Sequence, residues 1–159
     1  MFDEFMGLPA HPLLVHAAVV FGPLLVASVV AYSLVPPLRR YVGWVTVLLS
    51  VAAPFSLWFA VESGEELKAR QIANGAQGEL VAQFNEHQNF GDAAWRWAMV
   101  LGVLGIATVL VTTSAAKKPA TPSSRAIGWG LAVLTLIAAG FTGYYVFKTG
   151  DSGARMVWS

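Results

Sequence analysis

The chain has 159 residues, of which 56% are hydrophobic and 12% charged, with a mean hydropathy of +0.60. Soluble domains carry about 25% charged residues, so this deficit points to a membrane protein rather than a large soluble core. The formal net charge of +1 argues by itself neither for nor against a nucleic-acid partner, and none is expected; the absence of cysteine excludes disulfides, thiolate metal sites, covalently attached haem and cysteine catalysis.

The N-terminus is acidic (Asp3, Glu4) and runs into an apolar stretch long enough to span, so a cleaved signal peptide is not expected. A helix crossing a bilayer needs roughly 20 apolar residues. Four stretches qualify, at about 13–35, 43–61, 93–115 and 126–147. They predict a single domain over residues 1–159: an all-α, integral membrane, four-helix antiparallel bundle with an extended outer loop that itself contains helix.

The first span opens on "HPLLVH". Pro12 suits a first helical turn, which puts His11 near the N-cap and His16 one turn in, on the face of Val20, Pro23 and Ala27. Pro23 and Pro54 each remove a backbone hydrogen bond, so two kinked helices could open a cavity near the outer leaflet. The link after span one holds Arg39 and Arg40. Span two leaves the membrane through "WFAVESGEELKAR", where Glu62 and Glu66 share a face if the helix continues past Gly64.

The long second link carries six acids against Lys68 and Arg70. Within it, Leu80, Phe84, His87, Gly91 and Ala94 fall at three- and four-residue steps, so span three extends outward and His87 faces the bundle. Arg96 is expected to pair with Asp92 or to reach the headgroups. The third link, "KKPATPSSR", reads as a flexible connector. In span four Ala132, Ala139 and Gly143 permit close helix approach, and the tail "KTGDSGARMVWS" suggests a turn folding back over the outer face. No internal repeat with matching residues stands out.

The two short links are basic and free of acids, so the positive-inside tendency places them in the cytoplasm. Both termini and all three histidines then lie outside. Motifs for phosphate, dinucleotide, calcium or zinc-protease chemistry are absent, so a non-enzymatic protein is expected. The outer end collects His11, His16, Glu62, Glu66 and His87 as candidate metal ligands, with His16 and His87 as the pair that could hold haem b or a transition metal ion. In that reading Glu62 and Glu66 orient the imidazoles. The other reading makes the same residues a hydrogen-bonded polar plug in a cofactor-free structural or scaffolding subunit.

Three segments, "HPLLVH", "NEHQN" around His87 and "TGDSGARMVW" after span four, resemble the bacterial membrane family catalogued as domain of unknown function 2231, in its actinobacterial form. The resemblance implies a four-helical protein of the bacterial plasma membrane. It matches the chain at His11, His16, His87, Gly150, Gly153 and Trp158. Some members carry a Rieske-type or cytochrome c-type domain, which implies by association a respiratory or other redox membrane complex as partner, beside the lipid bilayer itself.

Overall fold

In the computed structural model, residues 4–5, 8–117, 119 and 121–158 are described. A two-residue antiparallel pairing, β1 (Glu4–Phe5) with β2 (Leu8–Pro9), precedes four long helices. These are α1 (Ala10–Leu34), α2 (Arg39–Ala73), α3 (Glu79–Ala115) and α4 (Pro122–Trp158). All four are long and apolar enough to cross a membrane. Their outward surface is oily, with Val103 66%, Phe147 68% and Trp129 74% exposed, a pattern that suits lipid and would be a liability in water.

Local sequence explains where each helix stops and starts. At the end of α1, Arg39 reaches back and donates through Nε to the Tyr32 carbonyl and through Nη2 to that of Ser33, satisfying carbonyls that the helix leaves open. Pro36–Leu38 makes one 3₁₀ turn before α2. Helix α2 ends in a Schellman motif: Gly75 takes φ +98°, and the Ala76 N–H donates to the Gln71 carbonyl. The "ATPSSR" segment is less of a connector than its composition suggests. Thr121 and Ser124 exchange hydrogen bonds between side chain and backbone N–H in both directions, and Pro122 sits at the first helical position, so α4 starts there.

Helices α2 and α3 have 35 and 37 residues. At 1.5 Å per residue each runs to roughly 50 Å, well beyond a hydrocarbon core of about 30 Å. The surplus forms a helical arm on the expected outer side, continuous through Gly64 on α2 and through His87 on α3. Lys68 Nζ donates to Gln88 Oε1 at 2.7 Å, and Gln88 Nε2 to Glu65 Oε1 at 2.9 Å, pinning the arm's two helices together.

The tail differs from expectation. Residues 148–158 continue α4 instead of folding back. Asp151 and Arg155 pair one turn apart at 2.8 Å, and Thr149 and Ser152 bond their hydroxyls to the Tyr145 and Thr149 carbonyls, so the glycines there do not break the helix. Nor do Pro23 and Pro54 frame a shared cavity. Pro54 is buried towards α3, whereas Pro23 is exposed.

The core has two layers. Leu25, Val29, Leu49, Ala53, Leu101, Ala138 and Ala139 form one cluster, and Ala18, Leu57, Ala60, Ala94 and Ala98 another. Buried hydroxyls add interhelical bonds, Tyr32 Oη with Thr112 Oγ1 at 2.6 Å and Thr108 with Thr135 at 2.9 Å. Among the described glycines the tightest approach is at Gly102, where a Cβ would lie 2.4 Å from the Ser50 carbonyl oxygen. Gly102→Ala therefore forces α2 and α3 apart and is expected to cost about 1–3 kcal/mol of stability, as overpacking does. Gly128→Ala, with nothing within 4 Å, is the control. Thermal unfolding of both variants in detergent checks this.

Candidate functional site

The ends of the four helices on the expected outer side bring together His11 and His87. His11 lies in the first turn of α1 and His87 in the third turn of α3. Their rings meet at right angles, with centroids 6.4 Å apart. Both side chains are half-buried.

Each ring is held by the neighbouring helix of its own hairpin. His11 Nδ1 is 3.0 Å from both the Ala60 carbonyl and Ser63 Oγ on α2. The Ser63 hydroxyl itself donates to the Ala60 carbonyl. A carbonyl only accepts, so Nδ1 of His11 carries the hydrogen and the neutral ring keeps its lone pair on Nε2. His87 Nδ1 lies 2.9 Å from Ser152 Oγ on α4, and that hydroxyl donates to the Thr149 carbonyl. The hydroxyl hydrogen is thereby committed, and Nδ1–H of His87 donates to the oxygen. Both imidazoles present the same tautomer.

Glycines make room for the rings. A Cβ on Gly64 would sit 3.1 Å from His11 Cε1, and one on Gly153 would sit 3.0 Å from His87 Cε1. One turn below, towards the membrane, Gly91 lets α3 approach Val61 of α2 and Thr149 of α4.

The other sequence candidates lie elsewhere. His16 is exposed, and its Nδ1 bonds the Pro12 carbonyl of its own turn. Five residues separate it from His11, which rotates it by about 140° around the helix. Val20, Pro23 and Ala27, its companions on that face, are exposed too. The structure thus pairs His87 with His11 and leaves His16 on the outward face. Glu62 accepts a hydrogen bond from Trp58 Nε1 at 3.1 Å, and Glu66 follows one turn later on the same side of α2. Residues 60, 63 and 64, which receive His11, lie on a different face. Orientation of the imidazoles falls to serine hydroxyls and backbone carbonyls where the sequence suggested carboxylates. Among the described residues, no three His, Asp or Glu side chains gather closely enough to share a metal ion.

Arg96 donates through Nε to the Asp92 carbonyl at 3.1 Å and is exposed. Sequence reasoning missed Ser63 and Ser152. The signal was present in "ESG" and "DSG", two acid-Ser-Gly triplets at the outer ends of spans two and four. No known family model, curated protein or solved structure matches the chain.

The geometry separates the histidines by consequence. His11→Ala and His87→Ala each delete hydrogen bonds that join two helices and are expected to lower stability by about 1 kcal/mol. His16→Ala removes only a bond within its own turn and should stay within about 0.5 kcal/mol of the parent. Unfolding midpoints of the three variants in one detergent decide this.

Proposed function

We propose that this chain is a non-enzymatic, multi-pass membrane protein whose outer end offers His11 and His87 as a two-imidazole ligand set for a transition metal ion. The observation that carries the reading is the meeting of two half-buried imidazoles from different hairpins, each anchored through Nδ1. Metal-binding histidines are commonly fixed in this way, the anchored Nδ1–H raising the basicity of Nε2. Typical metal–nitrogen bonds near 2 Å place ring centroids on one ion roughly 5–6 Å apart, close to the observed separation.

A single ion suits the surroundings better than haem b. A porphyrin between the rings would extend into the space where Val61 and Thr149 close on Gly91. When bound, an ion would supply Lewis acidity or one-electron chemistry at the outer surface. The residues of the chain hold it and exclude lipid. The setting we propose is the bacterial plasma membrane, with both termini outside, beside a respiratory or other redox complex.

One observation favours a second reading. The Nδ1 bonds also tie α1 to α2 and α3 to α4, so the same residues serve as a polar plug in a cofactor-free scaffold. Elemental analysis with oxidised and dithionite-reduced visible spectra of the purified protein separates the two. The metal reading expects about one equivalent of metal, lost in His11→Ala and His87→Ala and retained in His16→Ala. Metal-free, colourless protein from metal- and haem-replete cells leaves the plug.

Orientation has its own test, helped by the absence of native cysteine. Gln77→Cys, in the α2–α3 turn, should react with an impermeant maleimide in intact cells, and Lys117→Cys, in the α3–α4 link, only after lysis. The reverse pattern would put the histidine pair in the cytoplasm.

A further inference from the structure

The two imidazole anchorages are copies of one arrangement. In each, a histidine near the outer start of one helix places Nδ1 on a serine hydroxyl of the next. That hydroxyl donates to the carbonyl three residues before it. The glycine that follows the serine makes room for the ring.

The likeness runs down the bundle in strict register. Ala18, Leu25 and His11 on α1 correspond to Ala94, Leu101 and His87 on α3, at one constant offset along the chain, and both the alanines and the leucines are buried. On α2 and α4, Thr46, Glu62, Ser63 and Gly64 correspond at another constant offset to Thr135, Asp151, Ser152 and Gly153. Thr46 and Thr135 are fully buried, and each bonds the carbonyl four residues back, of Val42 and Leu131. Contacts between the hairpins repeat as well. Gly102 of α3 faces Pro54 of α2, and in the same registers Val26 of α1 faces Gly143 of α4. The small residue has changed sides while the contact has stayed.

We infer that the chain is a tandem of two equivalent helical hairpins, α1–α2 and α3–α4, and that Ser63, Gly64, Ser152 and Gly153 are the positioning residues of one two-sided imidazole site on the pseudo-two-fold axis between them. Each hairpin crosses the membrane twice, so the halves run in the same sense and their axis lies along the membrane normal. Only at this axis can one residue type from each half meet its counterpart. Two Nε2 nitrogens without a carboxylate suit an imidazole-seeking ion such as Zn²⁺ or Cu²⁺, with the remaining coordination left to solvent or an added ligand. That choice of ligand rests on the metal reading above; the positioning roles do not.

The test uses the full chain, labelled with ¹³C and ¹⁵N in its three histidines, in detergent at a pH well above about 6.5, where imidazole is neutral. Gly64→Ala and Ser63→Ala should move the His11 ring signals most, and Gly153→Ala and Ser152→Ala those of His87. His16 should stay in place throughout, as the internal control for folding. Ser152→Thr keeps the hydroxyl and should return His87 to its parent position. In a Zn²⁺ titration of the same samples, each of the four substitutions is expected to weaken binding by about 10–100-fold, with matched partners alike. The inference is overturned if only one member of a matched pair has an effect, or if His16 moves with the others through general loosening. Matched ring shifts in a parent that takes up no zinc would uphold the two-sided site and sink the metal reading instead.

Discussion

Apolar helices in lipid gain nothing from hiding apolar surface, so their arrangement depends on where backbones come close and where hydroxyls find partners. Gly102 against the Ser50 carbonyl is the contact that sets the distance between the hairpins here. The registers of the adjacent Leu101 and of Ala98 and Ala94, about one and two turns further on, follow from it, and they form the buried face of α3. Continued outward, the same face delivers Gly91 and then His87 to the bundle axis. The meeting of two imidazoles at the outer end is in this sense a consequence of packing at the membrane's middle.

At that outer end the bonding changes character. Imidazoles join the hydroxyls, carbonyls and glycines that bond the helices elsewhere, and polarity is concentrated on the axis rather than spread along one helix. A buried polar group needs a partner, and both imidazoles have one through Nδ1. The carboxylates are kept apart from this arrangement. Glu62 is engaged by Trp58, and Glu65 by the Gln88 bridge of the arm.

Much of the architecture was legible in the sequence because it rests on length and composition. Four long apolar runs give four helices, and the three- and four-residue spacing around His87 correctly turns it inward. Choosing between His11 and His16 was beyond that method. Helix α1 is apolar around its whole circumference, so nothing in its pattern marks the inward face, and a five-residue difference decides between bundle and lipid. The tail misled for a related reason: glycine suggests a turn by itself, but Gly153 sits in a helix beneath a ring from α3. Likeness between the halves escaped notice because the offset differs between the first and second helices of each hairpin. Helices α3 and α4 extend further past their matched positions, towards the link that joins them, than α1 and α2 do, and the repeat slips out of step when the chain is read straight through.

Dividing the pair between hairpins also fixes when it can exist. Each hairpin has its own histidine, serine and glycine, and each can enter the bilayer and anchor its ring before the other is present. The pair arises only when the second hairpin docks against the first. Anything that grips both rings at once therefore binds the docked bundle and not its separated halves, so a bound ligand would select for completed molecules during biogenesis.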